Sequence, residues 1–171
     1  MIKLPEFSRL VLLVRLGPQR LRTEIEATVD ERRALARRFD LVTLDRLSAV
    51  VTLQRLDAAL IRLEAEFDAE FAQTCVITLD PVPGRLAQSF SLLYGPNDVN
   101  AVEIEIGGDE PVFEPLTGDA IDIGEAVAQE LSLALPEFPR LPDAVVDQTE
   151  ITESQPGQFA ALERLFRPLP S

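Results

Sequence analysis

From Ala59 to Ala72 the chain alternates with a period of two. Ala59, Ile61, Leu63, Ala65, Phe67, Ala69 and Phe71 take the odd positions, and Arg62, Glu64, Glu66, Asp68 and Glu70 take the even ones. Successive side chains of a strand point to opposite faces, so extended backbone sorts these residues into one apolar and one charged face. Wound as a helix, the same residues would spread apolar groups around the whole circumference. The pattern therefore outweighs the helix propensity of Ala, Leu and Glu and predicts a long, half-buried strand. Leu47 to Gln54 alternates in the same way, and Leu56-Asp57-Ala58 allows a tight hairpin between the two runs. Arg20 to Val29 and Arg85 to Tyr94 give two more strands, and residues 9–15 are a further short candidate. The expected fold class is α+β: a mostly antiparallel, strongly twisted sheet of about five to six strands with one wet face and two or three helices packed on it.

Asp30 is placed to cap a short helix, Glu31 to Phe39, with Leu35 and Phe39 on one side. Asp122 and Glu125 form a pair resembling a capping box before Ile123 to Leu135, where Ile123, Val127, Leu131, Ala134 and Leu135 make an apolar stripe that Pro136 ends. A last helix is expected from Phe159 to Phe166. The acidic, Gly-containing stretch 95–118 and the Pro-rich stretch 136–157 read as mobile connections, with Val102 to Ile106 a candidate edge strand. The 171 residues, 46% hydrophobic, suit a single domain able to bury a core. No apolar run approaches the roughly 20 residues that span a bilayer, and the first residues lack the layout of a secretion signal, so a soluble, cytoplasmic protein is expected.

Histidine is absent and Cys75 is the lone cysteine, which excludes Ser-His-Asp and Cys-His catalysis in their usual forms, histidine or cysteine metal cages, and an internal disulfide. Trp is absent and Tyr94 is the lone tyrosine, which argues against a stacking surface for single-stranded nucleic acid. The net charge of −13 hides an asymmetry: residues 1–62 carry twelve basic and eight acidic residues, whereas residues 63–171 carry four and twenty-one. Such a division separates a polyanion-facing part from an acidic part, or reflects solvated strand faces and loops.

Arg32, Arg33, Arg37 and Arg38 share one short helix, with Arg33 and Arg37 one turn apart. They could hold phosphates bidentately, or be a solvated face paired with Asp30, Glu31 and Asp40. Cys75 reads as a small apolar residue at a strand end rather than a redox or metal thiol. Glu103, Glu105, Asp109 and Glu110 fit no cation-ligand spacing, and Gly107-Gly108 is not followed by the Lys, Ser or helix of a phosphate loop.

Three blocks resemble the YceD family, the large ribosomal RNA subunit accumulation proteins. The first is Gln73-Thr74-Cys75-Val76-Ile77-Thr78-Leu79-Asp80-Pro81-Val82. The second is Ile121-Asp122-Ile123-Gly124-Glu125, continuing through Leu133-Ala134-Leu135-Pro136 to Pro139. The third is Gln158-Phe159-Ala160-Ala161-Leu162-Glu163-Arg164-Leu165. The resemblance marks Cys75, Asp122, Gly124, Glu125, Pro136, Pro139 and Phe159 as motif positions. Many relatives carry Cys-x-x-Cys at the first block, whereas this chain has Cys75 and Thr78, so a metal or disulfide role is not expected here. The third block departs too, with Gly157-Gln158 before Phe159 where proline is common.

The resemblance implies a part in synthesis, processing or stability of large-subunit ribosomal RNA and implies no enzyme activity, cofactor or metal. Expected partners are large-subunit ribosomal RNA or a precursor particle, or a ribosomal protein, with no membrane and no DNA. In the first reading Arg32, Arg33, Arg37 and Arg38 are RNA-binding residues. The alternative is a protein-binding adaptor with an acidic surface and no direct RNA contact.

Overall fold

A computed structural model describes residues 5–57, 59–96, 112–116 and 118–145. The chain divides into two units, Met1–Leu141 and Pro142–Ser171. Of the second, residues 142–145 are described and begin with a turn; all that follows concerns the first. Its elements are β1 (Leu10–Leu12), a 3-10 turn at Leu13–Arg15, β2 (Leu21–Glu26), α1 (Val29–Arg38), β3 (Thr43–Arg55), β4 (Ile61–Thr74), β5 (Pro81–Gly95), β6 (Val112–Pro115), β7 (Ala120–Asp122) and α2 (Ile123–Ala134).

The alternating run becomes β4, the centre of a five-stranded sheet ordered β2-β3-β4-β5-β6. Ile61, Leu63, Ala65, Phe67, Ala69 and Phe71 are buried, and Glu64, Glu66 and Asp68 are exposed, as the period of two requires. The β3–β4 hairpin is closed by Leu56, Asp57, Ala59 and Leu60: Asp57 Oδ1 accepts from the backbone N–H groups of Ala59 and Leu60, and the Leu56 N–H donates to the Leu60 carbonyl.

The sheet is mixed rather than mostly antiparallel in kind. β2 through β5 pair antiparallel, but β6 lies parallel to β5, Leu92 opposite Val112 and Gly95 opposite Pro115. Parallel neighbours need a crossover of a dozen or more residues, and the stretch 96–111 supplies that length. β6 also replaces part of the connection expected over 95–118. A separate two-stranded sheet pairs β1 with β7, Val11 opposite Ile121, so the short apolar run after Arg9 does not join the main sheet. The described residues hold two α-helices; the stretches 102–106 and 159–166, expected as an edge strand and a helix, lie outside them.

Both helices bury their apolar sides. α2 buries Ile123, Val127 and Leu131, with Ala134 and Leu135 packed at the margin, which is the stripe the sequence predicts. Truncating such a residue to Ala costs about 2–5 kcal/mol. α1 buries Leu35 and Ala36, with Phe39 half-buried. It begins two residues earlier than expected because Thr28, not Asp30, is the N-cap. Thr28 and Glu31 exchange side-chain and backbone hydrogen bonds in a full capping box, a Thr-x-x-Glu signature present in the sequence. No helix among the described residues is long and apolar enough to cross a membrane.

Candidate functional site

Asp122 is the N-cap of α2 and does more than cap. Its Oδ1 accepts from the N–H groups of Gly124 and Glu125, each at 3.2 Å, and from the Arg9 N–H at 2.7 Å; its Oδ2 accepts from the Ser8 hydroxyl at 2.6 Å. The cap therefore fastens the segment before β1 to the start of α2. Gly124 permits that approach, because a Cβ there would run into the backbone carbonyl of Phe7. Glu125 does not complete a capping box. Its carboxylate turns to the Arg38 guanidinium, accepting at 2.7 and 2.9 Å, and Arg38 also donates to Glu6 at 3.0 Å. Arg9 in turn binds Glu31 at 2.6 and 2.9 Å. The Arg9 bonds hold the Glu31 carboxyl at about 2, well below the usual range, and the two carboxylates around Arg38 raise its pKa. The motif residues Asp122, Gly124 and Glu125 thus join the N-terminal segment, α1 and α2 through charged hydrogen bonds.

Cys75 opens a tight turn between β4 and β5 and is fully buried. Its N–H donates to the Asp80 carbonyl, its carbonyl accepts from the Leu79 N–H, and Leu79 takes a positive φ of 64° to close the turn. Sγ accepts from the Thr78 N–H at 3.4 Å. Hydrogen bonds from the Thr78 side chain and backbone push the thiol down to about 6, against the opposing effect of burial. Thr78, standing at the place of a second thiol, is thus a hydrogen-bond donor to the first. Among the described residues no group of three or more Cys, Asp or Glu is placed to hold a metal ion.

The Pro-rich segment lies on this turn. The Pro139 carbonyl accepts from the Val76 N–H at 3.0 Å and the Pro136 carbonyl from Gln73 Nε2 at 3.0 Å. Where the sequence predicts a mobile connection from residue 136, residues 136–139 are fixed by these bonds, because backbone carbonyls, which proline retains, meet unpaired donors at the strand end. Two sequence-distant motif blocks are brought together here. Phe159 lies outside the described residues.

Arg32, Arg33 and Arg37 line a groove of about 380 Å³ between α1 and residues 41–45, with Val29, Leu41 and Val42 as its apolar floor and rim. Arg33 meets Asp30 at 3.4 Å, and Arg32 donates to the Ala27 carbonyl. Arg37 makes no hydrogen bond or ion pair among the described residues. Asp45 also lines the groove; a bulge between Leu44 and Arg46 takes it out of the β3–β4 register. Arg38 does not join the other three, being held by Glu125 and Glu6. Helical spacing alone puts Arg33 and Arg37 one turn apart with Arg32 and Arg38 as equivalent flanks. The acids that separate them, Glu6 and Glu125, lie 32 and 87 residues from Arg38 in the chain.

No curated protein and no solved structure matches the chain. The model of the family described as Large ribosomal RNA subunit accumulation protein YceD matches residues 63–166, which include the Cys75 turn and the Asp122–Glu125 cap but not α1. The chain belongs to the YceD family.

Proposed function

We propose that this protein supports the accumulation of large-subunit ribosomal RNA by binding that RNA or a precursor particle, and that it does so without catalysing a reaction. The family supports the RNA class. The observation that carries the contact is the α1 groove, where Arg33 and Arg37 present guanidinium groups to solvent one helical turn apart. Guanidinium forks match phosphate oxygens bidentately, and a groove between a helix and a strand entry admits a backbone rather than a single base.

The test is binding of a labelled large-subunit ribosomal RNA fragment to the wild type and to Arg33→Glu/Arg37→Glu across a salt titration. Each phosphate contact that releases a counterion steepens the salt dependence, so the variant is expected to bind more weakly with a slope shallower by about one to two. Equal affinity and equal slope would reject the groove. Recovery of partners from lysate with no co-purifying ribosomal RNA, unchanged by nuclease, would favour the adaptor reading instead.

A further inference from the structure

The helices and the N-terminal segment cover one face of the main sheet. The other face is uncovered by any described residue. Along its centre β4 presents Arg62, Glu64, Glu66, Asp68 and Glu70 in sequence. Glu64 stands opposite Thr52 and Ser91, Glu66 opposite Val50 and Ser89, and Asp68 opposite Ser48 and Ala87. One strand further out, Glu24 faces Val50 and Glu26 faces Ser48. The short neighbours leave the carboxylates standing beside two troughs of about 470 and 520 Å³, which meet at Val50 and Glu66.

A face shaped only for solubility would intersperse both signs. This sheet does so around its margin, where Arg85 binds Glu70 at 2.9 Å across β4 and β5, Arg46 stands opposite Glu70, Arg22 and Arg46 line the troughs and Arg62 stands at the start of β4. Among the described residues no cation lies within ion-pairing distance of Glu64, Glu66, Asp68, Glu24 or Glu26. At the centre no opposite charge stands directly across from Glu64, Glu66 or Asp68, where a cross-strand pair would stabilise the sheet.

We infer that this face, which no described residue covers, docks an extended basic segment of a partner protein. Carboxylates at alternate residues of a strand repeat at about 6.8 Å, and alternate side chains of any extended chain repeat at the same distance. A segment with Arg or Lys at every second position, laid along β4, brings one cation to each of Glu64, Glu66 and Asp68. The flanking Ser and Ala positions leave room for its backbone. Phosphate is repelled here, so this surface is separate in place and charge from the α1 groove, and neither reading depends on the other.

The test uses the full chain and a fluorescein-labelled peptide of about twelve residues in which Arg and Lys alternate with Ser and Gly. Anisotropy compares the wild type, the face variant Glu64→Gln/Glu66→Gln/Asp68→Asn, and a control of equal charge, Asp80→Asn/Glu137→Gln/Asp143→Asn. All six positions are exposed, and thermal melts verify that the variants fold. The face variant is expected to weaken binding about tenfold and the control less than about twofold. Single Glu66→Gln is expected to fall between wild type and the face variant. Arg33→Glu/Arg37→Glu should bind the peptide no more weakly than wild type. Equal loss in the face variant and the control would mean attraction by net charge alone and overturn the inference, as would no binding by the wild type. Loss of RNA binding rather than peptide binding in the face variant would make the occupant a nucleic acid and equally overturn it.

Discussion

Glu125 at the start of α2 holds the guanidinium of Arg38 at the end of α1 with two hydrogen bonds of 2.7 and 2.9 Å. Arg38 is about a third exposed and Glu125 less, so solvent screens the pair only in part. Arg38→Met and Glu125→Gln should each cost about 1–2 kcal/mol, with a coupling of about 0.5–2 kcal/mol in a double-mutant cycle by urea denaturation. Arg33→Met, at a side chain 70% exposed, should change stability by less than about 0.5 kcal/mol. Equal costs at both arginines would contradict the division between a bridging Arg38 and a presented Arg33.

Asp122 accepts four hydrogen bonds, two of them from the segment before β1. Asp122→Ala loses the cap and leaves the Arg9 N–H and Ser8 hydroxyl without their acceptor. The expected loss is about 2–3 kcal/mol, lowering Tm by roughly 5–10 °C. A loss below about 1 kcal/mol would mean that water replaces the carboxylate.

Gly124→Ala sets two effects against each other. Helix propensity favours Ala by about 1 kcal/mol. The added Cβ meets the Phe7 carbonyl and approaches the Arg9 backbone nitrogen to 3.1 Å, and backbone cannot swing aside as a side chain can. The clash should win, giving net destabilisation together with looser Arg9–Glu31 pairing. A more stable variant would show that the segment shifts at little cost.

The Glu31 carboxyl is lowered to about 2 by its hydrogen bonds to Arg9. A depressed acid contributes stability above its unfolded pKa of 4.5 and loses that contribution as pH falls toward 2. After discounting for solvent at a side chain 21% exposed, about 1 kcal/mol should disappear across that window. Glu31→Gln should flatten this part of the stability–pH curve, measured by urea denaturation at successive pH values. An unchanged slope would place the acid sensitivity elsewhere.

The Thr78 side chain, together with its backbone N–H 3.4 Å from Cys75 Sγ, lowers the thiol to about 6, and only the side-chain part is removed by valine. Thr78→Val should move it up toward the ordinary value of about 8.5, read from thiolate absorbance in the ultraviolet. The wild-type thiolate adds stability as pH rises from about 6 to the unfolded value, and the variant should lose that rise. Alkylation of the buried sulfur should be slow in native protein and fast in urea for both. An unmoved titration in Thr78→Val would assign the shift to the turn backbone.

The sequence by itself determined whatever depends on neighbours along the chain. The period of two fixed which side chains of β4 are buried, and Asp122 and the 3.6-residue stripe fixed α2, because strand and helix periodicities are local. The Thr28–Glu31 box is spelled in the sequence, but the cap is expected at Asp30, which offers the same capping chemistry two residues later. The three motif blocks were legible as a likeness, and the family matched over 63–166 agrees with it.

Tertiary structure alone decided what depends on residues far apart. It laid β6 parallel to β5, turned Arg38 away from Arg32, Arg33 and Arg37 toward Glu6 and Glu125, and brought Pro136 and Pro139 onto the Cys75 turn. It also set Thr52, Val50 and Ser48 on one side and Ser91, Ser89 and Ala87 on the other, rather than arginine, opposite Glu64, Glu66 and Asp68. Strand register and ion pairing are properties of two segments at once, so no single stretch of sequence contains them.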